Sequence, residues 1–184
     1  MPHVAGVRHE RVDLADLTVH VAHAGDPDGE PIVLVHGWPQ NWYCWRHVVE
    51  RLRGFRIVMP DLRGHGWTDA PRHGYEKSRL AEDLLATMDA LDLDRVLLVG
   101  HDWGAWVGFL ACLETPERFA GFVPTGIIHP FQRPTPSRLA QAWRGIYQIA
   151  LSTPVVVPRA RDPAPREAPR RTAHGAHPLD RRRP

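Results

Sequence analysis

Cysteine is scarce in this 184-residue chain, with Cys44 and Cys112 the only two. Two thiols with no metal-ligand spacing around them exclude a disulfide framework and a zinc module, and read as inert small hydrophobes. No apolar run approaches the ~20 residues that cross a bilayer, which excludes a transmembrane segment. Residues 1–10 lack an apolar leader core, so no secretory signal is expected and the chain reads as cytoplasmic. Excess charge is missing as well: 23 Lys and Arg stand against 21 Asp and Glu, a net +2. The 43% hydrophobic content is enough for the core of one domain.

That small net charge hides an uneven distribution. Residues 158–184 hold eight Arg, three acidic side chains, six Pro and five Ala, and Leu179 is their one large apolar residue. This segment carries +5 and residues 1–157 carry −3, so the body is mildly acidic. The tail arginines have no interleaved aromatics on which bases would stack, and nucleic acid is not the expected partner.

Residues 9–23 (HERVDLADLTVHVAH) alternate apolar and polar positions, which predicts two short half-buried strands. After the turn cluster 26–30 comes PIVLV, a continuous β-branched run suited to a strand buried on both faces of a parallel sheet. Residues 42–53 have an amphipathic, helix-length pattern, and Phe55 to Met59 reads as a second buried strand. A helix over about 76–91, a strand from Arg95 to Val99, a helix from Trp103 to about Leu113 and a strand from Phe119 to Val123 follow. Short apolar strands alternating with helices predict an α/β fold with a mainly parallel sheet flanked by helices. Ser137 to Leu151 reads as one more amphipathic helix between Pro-rich segments.

Chemistry concentrates where strands end. Gly100-His101-Asp102-Trp103-Gly104 sits between a buried strand and a helix, the setting of a nucleophile elbow of form G-x-Nu-x-G. Gly100 and Gly104 stand where a Cβ would strike the neighbouring strand or helix, and the central residue is held out at the sheet edge. That residue is Asp102 in place of the usual Ser. A carboxylate needs no base to deprotonate it at neutral pH, and attacks an sp³ carbon to form an alkyl ester. An isolated Asp at a helix start is ordinarily an N-cap. The flanking glycines and the preceding strand favour the nucleophile here.

His36-Gly37-Trp38-Pro39 follows PIVLV directly, where a loop can present backbone N–H groups to an oxyanion. The donors would be Trp38 and Trp103, with Pro39 stiffening the loop. In Asp61-Leu-Arg-Gly-His-Gly-Trp-Thr-Asp-Ala-Pro71, Gly64 and Gly66 permit a compact loop. Asp61 and Arg63 are expected to pair and hold it, with His65 structural.

HGWP, DLRGHGWTDAP and GHDWG, in this order and spacing, resemble the α/β-hydrolase superfamily over roughly residues 9–157. The branch most resembled is the epoxide hydrolases, with haloalkane dehalogenases nearby. The resemblance implies a central sheet with an inserted helical cap, and a two-step hydrolysis through a covalent ester on the elbow Asp, without cofactor or metal. Asp102 matches the nucleophile, and Trp38 and Trp103 match the oxyanion-hole positions, supported by His36, Gly37, Pro39, Gly100, His101 and Gly104. Tyr147, in AWRGIYQIAL, matches a cap tyrosine that gives a proton to the opening epoxide, or else packs on an apolar helix face. A dehalogenase needs no such acid, and there the Trp103 indole would hold the halide. Haloacid-type relatives usually carry Arg after the nucleophile, and Trp103 argues against that branch. Trp38, Trp42, Trp45, Trp103 and Trp106 point to a small apolar organic substrate. Oligomeric state leaves no mark in the sequence.

The family places its acid and His on later strands. Pro124-Thr125-Gly126-Ile127-Ile128-His129 holds no carboxylate, His129 lies in a loop toward the cap, and Asp162, His174, His177 and Asp180 follow no strand-like run. The expected organisation is therefore the N-terminal part of a hydrolase core over 1–130, the beginning of a cap over 131–157 and a disordered Arg/Pro/Ala-rich tail over 158–184. The character of the sequence changes inside a cap helix region, which favours truncation or a shifted reading frame over a genuine short variant or a basic binding segment. Two functions remain beside an impaired epoxide hydrolase: a dehalogenase, and a non-catalytic remnant that binds an anionic partner.

Overall fold

The structure, a computed structural model, describes residues 1–127. They form strands β1 (Arg8–Asp13), β2 (Thr18–Gly25) and β3 (Glu30–Val35), then helix α1 (Arg46–Val49) and strand β4 (Phe55–Pro60). Helix α2 (Lys77–Ala90), strand β5 (Val96–His101), helix α3 (Trp103–Glu114) and strand β6 (Phe119–Thr125) follow. The six strands make one sheet in the order β1-β2-β4-β3-β5-β6. β3 runs parallel to β4 and β5, and β5 runs parallel to β6; β2 is antiparallel to β1 and β4.

The β-branched runs account for the central strands. In β3, Ile32 and Leu34 face one side with Ile57, Met59, Trp42 and Val49, while Val33 and Val35 face the other with Leu80, Leu84, Met88, Val107 and Ala111. Burial on both faces needs this continuous apolar composition, since successive side chains point to opposite sides of the sheet. α2 and α3 cover one face, and their apolar positions recur at helical spacing (Leu80, Leu84 and Met88; Val107 and Ala111).

Three expectations need correction. The amphipathic stretch 42–53 is a 3-10 turn, Trp42–Trp45, followed by the single turn of α1. Trp42 is fully buried and its N–H donates to the Asp61 carboxylate at 2.7 Å, which pins the segment before a longer helix can propagate. β2 is buried on both faces and not half-buried, because it lies inside the sheet and hides His20 and His23 against Asp61 and Glu10. Asp61 and Arg63 do not pair with each other. Arg63 instead grips Asp83 of α2 through two nitrogens, at 2.7 and 2.8 Å.

Connectivity locates the site. The chain leaves β3 for β4 on one side, then crosses over through α2 to β5 on the other. The switch point of the sheet therefore lies at the C-terminal ends of β3 and β5, the place where open α/β sheets bind ligands. Tyr147, His129, the helix expected over 137–151, the boundaries at 130 and 157, and the tail with Asp162, His174, His177 and Asp180 lie outside the described residues. Among the described residues no helix is long and apolar enough to cross a membrane.

Candidate active site

Asp102 occupies the turn between β5 and α3 with φ 51° and ψ −116°. A non-glycine residue seldom adopts a positive φ, and such backbone persists only where its surroundings hold it. The hold here is tight. A Cβ on Gly104 would lie 2.3 Å from the Val35 carbonyl oxygen, and one on Gly100 would lie 2.6 Å from the Ala105 Cα. Gly100 therefore lets the end of β5 close on the start of α3, and Gly104 lets α3 press against the end of β3.

The loop after β3 meets this turn from the other side. A Cβ on Gly37 would come within 2.5 Å of the Asp102 Cβ, so only glycine admits the contact. The Trp38 N–H donates to Asp102 Oδ1 at 3.0 Å. The Asp102 N–H is used by the Thr125 carbonyl at 2.9 Å, and the Asp102 carbonyl accepts from Ala105 and Trp106. Trp103, the first residue of α3, has an N–H with no acceptor inside its own helix. The Trp38–Pro39 peptide is cis.

Gln40, which sequence reasoning missed, ties the two halves together. Its Oε1 accepts from His101 Nδ1 at 3.1 Å and from the Gly37 N–H at 3.4 Å. An amide oxygen only accepts, so His101 carries its proton on Nδ1. His36 works one layer below. Leu62 N–H donates to its Nε2 at 3.0 Å, which leaves the proton on Nδ1 to reach the Gly37 carbonyl at 2.9 Å. The ring is fully buried, and burial pushes its pKa down to about 4. His36 is thus a neutral link between the β3 loop and the 61–71 loop.

That second loop is organised around Asp61, whose carboxylate accepts from Trp42 N–H at 2.7 Å, Trp67 N–H at 3.1 Å and His20 Nδ1 at 2.7 Å. His65 donates to or accepts nothing at Asp102. Its ring lies edge-on to the Trp103 indole with centroids 5.9 Å apart, and its Nδ1 bonds the Arg63 carbonyl.

Lys77, at the start of α2, is the other residue missed. Its Nζ sits 3.0 Å from the centroid of the Trp103 ring. Burial pushes its pKa down to about 8, with the Asp102 carboxylate acting in the opposite sense. No sequence signal marks it, since a lysine in a first helical turn is usually a solvated surface residue. Cys44 and Cys112 are free thiols whose pKa values burial raises, to about 12 and about 11. Among the described residues no group of three or more His, Cys, Asp or Glu could hold a metal ion.

Comparison with known proteins points one way. Residues 30–148 match the family described as the alpha/beta hydrolase fold. The chain is 39% identical over 121 residues to Epoxide hydrolase 2 of Siraitia grosvenorii, covering 64% of the chain and 38% of that protein. It is 39% identical over 104 residues to the Soluble epoxide hydrolase of Corynebacterium sp. (strain C12), covering 56% and 36%. A solved structure of a mutant epoxide hydrolase from Vigna radiata superposes with a TM-score of 0.68 at 35% identity, over 80% of the chain and 48% of that structure. The chain thus spans well under half the length of these two curated relatives. With the mixed six-stranded sheet, the switch point at β3 and β5 and the tight turn at Asp102, these matches make the chain a member of the α/β hydrolase fold family, of epoxide hydrolase-like type.

Proposed function

We propose that Asp102 is the nucleophile of an epoxide-opening reaction on a small organic substrate. The observation that carries this reading is the Trp38 N–H on Oδ1 at 3.0 Å, on a carboxylate displayed at a strained strand-to-helix turn. One oxygen is held and the other, Oδ2, is left to attack. Oδ2 forms a bond to an epoxide carbon, the ring C–O bond breaks, and its electron pair stays on the epoxide oxygen. That oxygen then takes a proton, for which Tyr147 is the proposed donor.

The product is an alkyl ester whose carbonyl oxygen is Oδ1. When water attacks this ester, negative charge gathers on Oδ1, next to the Trp38 N–H and the unused N–H of Trp103. No cofactor or metal enters the step. The names of the relatives, several of them epoxide hydrolases, favour this reading over halide displacement and over a non-catalytic remnant.

Release is the weak half. Efficient attack by water needs a base within hydrogen-bond reach, and residues 124–129, from the end of β6 onward in the sequence, supply no carboxylate to orient one. For the 184-residue chain we therefore propose one stoichiometric alkylation. Intact mass spectrometry after exposure to styrene oxide should show a single added epoxide, mapped to Asp102 and absent from Asp102→Asn. An adduct elsewhere, or none, would overturn the nucleophile. Sustained diol formation would overturn the block on release.

A further inference from the structure

Lys77 is the unexplained charge of the site. The other cations near α2 have carboxylates: Arg63 holds Asp83, and Arg79 reaches Asp16 and Glu82. Lys77 has no carboxylate within 4.0 Å among the described residues, although it is half withdrawn from water. Its ammonium is placed over the face of Trp103, whose ring electrons attract a cation and keep it from swinging into solvent. Trp103 follows Asp102 in the chain, so the cation is held by the residue next to the proposed nucleophile.

A half-desolvated cation that rests on an indole face, with no carboxylate in contact among the described residues, is open to an anion. A neutral epoxide would gain from it only as the ring opens and charge gathers on the epoxide oxygen, whereas an anionic one would gain from the first encounter. An anionic one would be repelled by the Asp102 carboxylate unless a positive charge offset it, and the Lys77 charge is near enough to Asp102 for the two to interact. Resting on the reading of Asp102 as nucleophile, we infer that Lys77 recognises a carboxylate on the substrate, so that the site takes small epoxides bearing an acid group next to the reactive ring.

The test compares glycidate with glycidamide, which match in size and differ in charge. For the 184-residue chain, the rate of Asp102 adduct formation is followed by mass spectrometry and divided by the rate of each epoxide with free acetate. The corrected ratio should favour glycidate. It should fall at least about tenfold in Lys77→Met, the scale of a lost charge-assisted contact, and be restored in Lys77→Arg. A ratio near one in the unaltered chain, or one that Lys77→Met leaves in place, would overturn the inference while leaving Asp102 as nucleophile. If neither epoxide labels Asp102, the nucleophile reading falls and binding decides Lys77 separately. Titration with unreactive lactate should then shift the Trp103 indole N–H resonance, assigned with Trp103→Phe, and Lys77→Met should abolish that shift. Lactate that leaves the resonance unmoved, or moves it equally in Lys77→Met, would sink the inference.

Discussion

Two aspartates stand just beyond the C-terminal ends of parallel strands on either side of β3, Asp61 after β4 and Asp102 after β5, and the fold treats them in opposite ways. Asp61 is 1% exposed and its two oxygens are claimed by two backbone N–H groups and a buried imidazole. Asp102 is partly exposed, on a backbone with positive φ, and the Trp38 N–H reaches only one of its oxygens. A carboxylate whose lone pairs are filled by fixed donors is an anchor. One left with an unfilled oxygen at the switch point of the sheet is available for chemistry. The difference lies in how many hydrogen bonds the neighbours supply, since the residue type is the same.

The sharpest way to break this contrast is to remove the anchor. Asp61→Ala would leave the Trp42 and Trp67 N–H groups and the His20 ring without their acceptor in a buried place. The expected cost is about 3–5 kcal/mol, which consumes much of a stability of roughly 5–15 kcal/mol. Urea denaturation, or the loss of soluble protein on expression, measures it; an unchanged midpoint would mean that Asp61 anchors nothing.

Acid should attack the same region. His36 is neutral in the fold with its pKa held down to about 4, whereas the unfolded chain takes up the proton near the ordinary 6.5. Its contribution is intact above about pH 6.5 and is lost as pH falls toward 4, by ~3 kcal/mol in all. Urea midpoints at several pH values should show this slope, and His36→Gln should flatten it. A slope shared equally by the variant would assign the acid sensitivity to other groups.

The smallest effect on stability should come from the other aspartate. Asp102→Asn keeps the shape, and Asn tolerates positive φ as well as Asp does, so the unfolding free energy from urea denaturation should change by less than about 1 kcal/mol. A large destabilisation would make Asp102 a second anchor and erase the contrast.

Much of this architecture can be read in the sequence because it is written in local patterns. PIVLV is a strand buried on both faces, RVLLV falls in a strand that buries Val96 and Leu98 fully and Leu97 and Val99 in part, and the helix expected over 76–91 is found as Lys77–Ala90. The flanking glycines of GHDWG occupy the close approaches their spacing suggests. What escapes is set by partners distant in the chain. The 42–53 segment is shaped by Asp61, 19 residues beyond Trp42. Arg63 chooses Asp83, 20 residues away, over its neighbour Asp61. His20 and His23 look like solvent-facing positions of a strand until their acidic partners are known. Lys77 acquires meaning only when α2 brings it over Trp103. Tyr147 falls outside the described residues, and its role is a matter for the alkylation chemistry.

The hydrogen bond between Trp38 and Asp102 joins residues 64 positions apart. Neither the β3 loop nor the β5 turn can build it alone, because the two meet only when those strands lie side by side. Closing so long a loop costs entropy that is recovered late, after the intervening crossover has formed. During folding, then, the Asp102 carboxylate meets the Trp38 N–H only once β3 and β5 pair, and the proposed nucleophile and its held oxygen are assembled in one event. An electrophile added to refolding protein would serve as a clock for sheet assembly.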